Sequence, residues 1–525
     1  MKENNHKYNQ YIFDASESRW ADSDEIKNSM TTKRIDINND SCKGCGLPLI
    51  SDGCNVHVDD SDSHTLVFGA TGSKKTRIFG MPLVNMFAMA GESFIATDPK
   101  GELYSETSGL VEAQGYNLIV LNYRDIKKSS LWNPLAIPYE LYHKGEKEEA
   151  VALINDFVET LGSEQRNSTA DSYWIETASS MIFAYLLFFI DTATEDEANI
   201  YNFNNFFIYN STPCAVLRIA LCVAENSIVV ANLKSVLAVR HADNTFGCIV
   251  SVAAAILRPF ITRTSLNQMM SKSSFDFRKV GREKTAIYII VPDEKTTLHF
   301  LVTIFIKQTY EVLINEAQQE NNKKLPIRLN FLLDEFGNIP KIPDMASMIS
   351  AARSRNIRFF LMTQGMFQLK HKYNEDAETI KGNCENIVFL YSREYELLRE
   401  ISILCGETHK FDVCGNVRQQ PLISVAELQR LQKEKGEALI LHGRNYPFMS
   451  RLPDIDEYVF KNYCEIKKNE STLPQIVFYD GKNILEKIKL GEKSLPFSIE
   501  VFGKETFISE ENRKTIELLE DKSQQ

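Results

Sequence analysis

The sequence predicts an α/β protein whose parallel sheet is interrupted by an all-α insertion, and three patterns carry that prediction. Short β-rich runs bounded by turn residues at 64–68, 93–97 and 117–121 alternate with helical stretches, as strands joined by crossover helices do. From about Pro138 to Pro259 the apolar spacing turns helical, over 146–161, 173–189, 214–223 and 228–239. Strand-like runs return at 285–291, 327–333, 358–363, 386–391 and 438–441, so the sheet resumes after the insertion. The expected divisions are a polar N-terminal segment over 1–45, a core over 46–137 and 263–453, the all-α domain over 138–262, and a C-terminal extension over 454–525. The extension should end in a short helix and frayed tail from Glu510 to Gln525.

Length and composition fit this division. A chain of 525 residues suits two to four domains, and 43% hydrophobic with 25% charged residues excludes disordered and fibrous classes. With 59 basic against 70 acidic residues the net charge is −11, so any nucleic-acid contact must be local rather than a coat of basic surface. The small clusters Lys127-Lys128 and Lys323-Lys324 read as solvated faces. The longest apolar run, Thr177 to Ile190, is shorter than the roughly 20 residues that cross a bilayer and reads as a buried helix. With a polar stretch over the first forty residues, the expectation is that nothing here spans a membrane by itself and that attachment needs a partner.

The chemistry begins after the first core strand. Gly69-Ala70-Thr71-Gly72-Ser73-Lys74-Lys75-Thr76 lies between a strand and a helical stretch, the context of a phosphate loop. Successive backbone N–H groups and the helix N-terminus would cradle phosphates, Lys75 would reach the β and γ oxygens, and the Thr76 hydroxyl would be a Mg²⁺ ligand. Lys74 stands where the motif has glycine. If the backbone there has positive φ, a lysine costs about 1–2 kcal/mol, and its side chain either crowds or supplements the phosphate site.

Far downstream, Leu329-Asn330-Phe331-Leu332-Leu333 is an apolar run ending in Asp334-Glu335, as expected of a buried strand delivering carboxylates to its C-terminal end. Alone, the pair would read as two solvated acids. Beside a phosphate loop it reads as a Walker B signature, with Asp334 holding Mg²⁺ and Glu335 polarising the attacking water. Gln364, at the end of the next strand run, is placed to sense a γ-phosphate. Arg353 or Arg355 could reach a neighbouring subunit's site as a finger, or simply cap a helix.

Cys42-x₂-Cys45 and Cys54-x₂-His57 have the ligand types of a zinc site, but only eight residues separate the pairs. They read as reduced thiols in a turn, in keeping with ten scattered cysteines, no signal-peptide pattern and a cytosolic ATP supply.

His64-Thr65-Leu66 before the loop, Asp98-Pro99-Lys100-Gly101-Glu102-Leu103, Trp132-Asn133-Pro134-Leu135 and Asp334-Glu335-Phe336-Gly337-Asn338-Ile339-Pro340 occur in an order that resembles one known family. Together with Phe246, the run Ser251 to Phe260 and the stretch Arg353 to Gln364, they resemble the coupling ATPases of conjugative type IV secretion, of the TraG/TraD type, over roughly residues 46 to 450. The resemblance implies a RecA-like P-loop core with an inserted all-α domain, usually a ring of six, using ATP and Mg²⁺. It implies delivery of relaxase-bound single-stranded DNA and protein substrates to a secretion channel, from the cytoplasmic side at the inner face of the cell membrane. It carries Lys75, Thr76, Asp334, Glu335 and Gln364 to nucleotide roles, and Asp98 and Lys100 to a place beside the site. Lys74 and the expected lack of N-terminal transmembrane helices depart from the family pattern. A nucleotide-gated docking receptor with little hydrolysis is the competing reading. A septal-type DNA translocase would share the core but leave the helical insertion and the Asp98 to Leu103 motif unexplained.

Overall fold

The apolar runs expected to be strands all form strands, because each is long enough to cross a sheet and is punctuated by residues that turn the chain. A computed structural model describes residues 17–166, 172–224, 226–261, 263–294, 296–411, 417–461, 463–466 and 472–480. The helix expected at the C-terminus, from Glu510 to Gln525, lies outside the described residues, as do the first sixteen residues of the expected N-terminal segment.

The chain divides into two compact units. The first comprises the described residues of Met1–Arg124, Asp276–Thr296 and Thr309–Lys468; the second those of Asp125–Phe275, Thr297–Gln308 and Asn469–Gln525. The helical unit therefore takes in more than the expected 138–262, and the expected C-terminal extension is shared between the two units.

In the first unit, β1 (Thr32–Asp36), β2 (Leu47–Ser51) and β3 (Asn55–Asp59) form a small antiparallel sheet in the order β1-β3-β2, in a region read from sequence as a polar segment and a turn. The main sheet contains β4 (Thr65–Gly69), β5 (Ser93–Asp98), β6 (Asn117–Asn122), β7 (Thr285–Ile290), β8 (Leu329–Leu333), β9 (Ile357–Thr363) and β10 (Asn386–Tyr391). A separate hairpin pairs β11 (Glu407–Phe411) with β12 (Val417–Pro421), and β13 (Glu437–His442) and β14 (Phe448–Arg451) complete the main sheet. Its order is β14-β13-β10-β4-β9-β8-β5-β7-β6, parallel from β10 to β6 and antiparallel at the β13 and β14 edge.

β4, β5, β7, β8 and β9 are buried along their whole length, which is why they read as unbroken apolar runs instead of alternating ones. Helix α1 (Met81–Ala90), which follows the phosphate loop, covers one face: Phe87 lies 6.0 Å from Phe94 of β5 and 5.6 Å from Phe360 of β9, ring centre to ring centre. At the N-terminal ends of the strands, buried Arg358 pairs with Glu92 at 2.8 Å and donates to the Cys45 carbonyl at 2.9 Å. This ties the small sheet to the main one and satisfies a charge that would otherwise be costly to bury.

The second unit is helical around Ser172–Thr192, whose Met181, Ile182, Tyr185, Phe188 and Phe189 are buried. Phe206, from Ile200–Tyr209, stacks on Phe188 at 5.8 Å, and Tyr479 packs edge-on to Phe189 at 4.9 Å. The apolar run expected to be too short for a membrane belongs to a helix of 21 residues, long enough to cross one. Length therefore does not decide the matter; 78% of its most apolar window is buried, as in a core helix.

Candidate nucleotide site

The sheet order sets the geometry of the site. The phosphate loop leaves β4 and the acidic pair leaves β8, 258 positions away, and these strands are not neighbours: β9 lies between them. Since all three are parallel, the loop, the Asp334-Glu335 pair and Gln364 emerge together at one sheet edge, where parallel sheets bind ligands. β5, on the other side of β8, brings Asp98 to the same edge.

The loop is built from local constraints. Gly69 packs directly against the Ser73 side chain, leaving no room for a Cβ, and Gly72 has φ 78°. The loop is pinned by Ala70 N–H donating to the Tyr391 carbonyl at 2.9 Å and closes on itself through Ser73 N–H to the Ala70 carbonyl at 3.0 Å. Lys74 has φ 64°, so the position does demand the left-handed backbone that the motif glycine serves. Its amine points to acids near the end of the core, 2.9 Å from Glu434 and 3.4 Å from Asp454, and is held above its usual pKa by the hydrogen bond to Glu434. Arg77 joins the same group through Asp454 and Asp456, both at 2.5 Å. The chain then enters a π-helical turn, Thr76–Gly80, before α1.

Buried Lys75 reaches Glu335, Nζ to Oε1 2.5 Å, and the Thr76 hydroxyl donates to Asp334 Oδ2 at 2.6 Å. Glu335 Oε2 accepts from Gln364 Nε2 at 3.0 Å and from Asn338 Nδ2 at 3.2 Å. Glu335 itself has φ 52°, a strained conformation for a residue with a Cβ, and Asp334 receives its N–H at 2.9 Å. Burial raises the Asp334 pKa, opposed by Lys75 and the Thr76 hydroxyl. Burial also lifts Asp98 to about 6, although its carboxylate accepts the Gly101 and Tyr104 N–H groups at 2.8 Å each and so caps α2 (Glu102–Ala113).

These residues line one cavity of about 220 Å³ that includes Thr71 to Thr76, Asp98, Lys100, Asp334, Glu335 and Gln364. Arg353 and Arg355 are elsewhere: they precede β9, at the sheet edge opposite the cavity, and Arg353 pairs with Glu385 at 2.6 Å. Asn338 lines the cavity too; it belongs to the Asp334 to Pro340 motif, but sequence reading gave it no role.

The donor set fits a magnesium nucleotide. Thr76 and Asp334 offer hard oxygen donors side by side, the kind Mg²⁺ takes while keeping waters and phosphate oxygens as its other ligands. The Ser73 hydroxyl, buried in the loop, has no hydrogen-bond partner among the described residues. The zinc ligand types do not converge. Cys42 Sγ faces the Met86 carbonyl at 3.9 Å, Cys45 lies against Arg358, and no cluster of three or more His, Cys, Asp or Glu placed for a metal occurs among the described residues.

A family model described as type IV secretory system conjugative DNA transfer matches residues 19–422. The conjugal transfer protein TraG of Escherichia coli is 24% identical over 373 residues, covering 66% of this chain and 55% of the relative. A second TraG from the same organism is 22% identical over 448 residues, covering 78% and 66%. The chain thus spans about half to two thirds of the length of these curated relatives. The solved structure of plasmid coupling protein TrwB with the non-hydrolysable ATP analogue ADPNP has a TM-score of 0.60 at 15% identity, over 87% of this chain and 97% of that one. TrwB with ADP and Mg²⁺ gives 0.60 and 15%, over 86% and 95%. The likeness to TrwB is one of fold.

Proposed function

The chain belongs to the type IV secretory system conjugative DNA transfer family, and we propose that it is an ATP-driven coupling protein delivering relaxase-bound single-stranded DNA and protein substrates to a secretion channel. The observation that carries this reading is the meeting of Lys75, Thr76, Asp334, Glu335 and Gln364 in one cavity.

In this reading the loop N–H groups bind the β- and γ-phosphates, and Lys75 exchanges its contact with Glu335 for the phosphate oxygens. Thr76 and Asp334 would hold Mg²⁺, which would supply neutralisation of the phosphate charge. Release of Lys75 frees the Glu335 carboxylate to accept a proton from the attacking water, while Gln364 bridges Glu335 and the γ-phosphate. Asp98 and Lys100 flank the nucleotide. Arg353 or Arg355, distant from their own subunit's cavity, would act on a neighbour's site in a ring of six. The protein would work at the cytoplasmic face of the membrane.

Lys74 favours a second reading, a nucleotide-gated docking receptor that turns over little, because a strained lysine replaces the loop glycine and is drawn toward Glu434 and Asp454. Turnover of the native chain with and without single-stranded DNA separates the two. The motor reading expects DNA-stimulated ATP hydrolysis; Mg·ATP binding with no turnover, converted to brisk turnover by Lys74→Gly, would establish the receptor instead.

A further inference from the structure

The residues that hold the Glu335 loop come from the helix that follows Gln364. Helix α3 (Met345–Ala352) precedes β9, and α4 (Met366–Tyr373) begins two residues after Gln364. Gln368 and Lys372 stand one helical turn apart, on the same side of α4. The Lys372 amine donates to two backbone carbonyls of the segment after the acidic pair, that of Gly337 at 2.5 Å and that of Ile339. No carboxylate pairs with Lys372 among the described residues, and burial lowers its pKa to about 8.

The rest of α4 faces the same segment. Gln368 Oε1 accepts from the Thr363 hydroxyl at 3.1 Å and from the Gln364 N–H at 3.3 Å. It also lies against Gly337, where a Cβ would run into it and come within 3.0 Å of the Thr363 hydroxyl. Phe336 stacks on Tyr373 with ring centres 5.6 Å apart, and the Tyr373 hydroxyl accepts the Ile342 N–H at 3.2 Å. A left-handed glutamate persists only where its surroundings over-determine it, and these contacts from α4 do so for Glu335.

We propose that Lys372, supported by Gln368, is a positioning residue for nucleotide hydrolysis: it holds the backbone after Glu335 against α4 and so aims the Glu335 carboxylate at the attacking water. Because α4 starts beside Gln364, the groups reporting on the γ-phosphate and directing the water share one rigid support. The proposal rests on the hydrolytic reading given above.

The test compares the native chain with Lys372→Met and Lys372→Arg, measuring kcat, KM for ATP and the Kd of Mg·ADP. Lys372→Met should lower kcat by roughly 10- to 100-fold, the scale of a slightly misplaced catalytic group, with the ADP affinity unchanged. Lys372→Arg, which keeps a cation able to reach both carbonyls, should recover much of that loss. An unchanged kcat in Lys372→Met would overturn the proposal, as would a parallel fall of kcat and ADP affinity that arginine does not relieve. Should Lys372→Met fail to fold, Gln368→Leu takes its place with the same kcat-specific loss expected. Absence of turnover in the native chain would instead remove the hydrolytic reading itself.

Discussion

The two halves of the site are held in different ways. The phosphate loop carries its irregular residue, Lys74, on ion pairs to Glu434 and Asp454 whose side chains are 70% and 17% exposed. The acidic strand end has an equally unusual backbone at Glu335, but it is fixed by Lys75, Gln364, Asn338 and, through the following residues, by α4. An ion pair to a carboxylate as exposed as that of Glu434 adds little and is screened by salt, whereas several hydrogen bonds converging on one half-buried carboxylate, as at Glu335, fix one geometry. The loop can therefore tolerate a departure from its motif that the acidic end could not.

The largest effect expected on this contrast is from Lys75→Ala, which removes a buried cation common to both halves. Losing a charge-assisted contact to phosphate should weaken ATP binding by about 1.5–3 kcal/mol, roughly 10- to 100-fold, in a titration with a fluorescent ATP analogue. Next comes Gly337→Ala, which pushes the Gln368 carbonyl out of its contacts with Thr363 and Gln364. A destabilisation of about 1–2 kcal/mol is expected in chemical denaturation, together with slower turnover. Lys74→Gly should act the other way, relieving the left-handed strain and stabilising the chain by about 1 kcal/mol. The smallest change belongs to Glu434→Gln, where nucleotide affinity should stay within about twofold at physiological salt. A larger effect there would show that the loop is supported as firmly as the acidic end, and the contrast would break.

How legible this was depended on what each residue faces. Sheet strands such as Leu329–Leu333 are apolar on both faces, and their ends carry motif residues, so the strand and its chemistry were read together. The small sheet was missed because β1, Thr32–Asp36, has a largely exposed pattern and looks like a polar segment. The intervening place of β9 could not be read, since strand order is a property of the whole sheet and both β4 and β8 look the same with or without a strand between them. Lys372 and Gln368 were invisible for a different reason: on a short helix they resemble any polar face, and only the approach of Gly337 gives them work. Nothing in the sequence separates Arg353 and Arg355 from Arg358 a few positions on, yet Arg358 turns inward to Glu92 while the other two stay near the surface.

In the proposed mechanism Glu335 activates water in a site that binds Mg·ATP through its neighbours. Steady-state hydrolysis and equilibrium ATP binding, measured side by side on the native chain and Glu335→Gln with single-stranded DNA present, test it most directly. Turnover should fall by roughly 100- to 10,000-fold, as for removal of a general base, with ATP still bound. Full turnover in Glu335→Gln would contradict the mechanism.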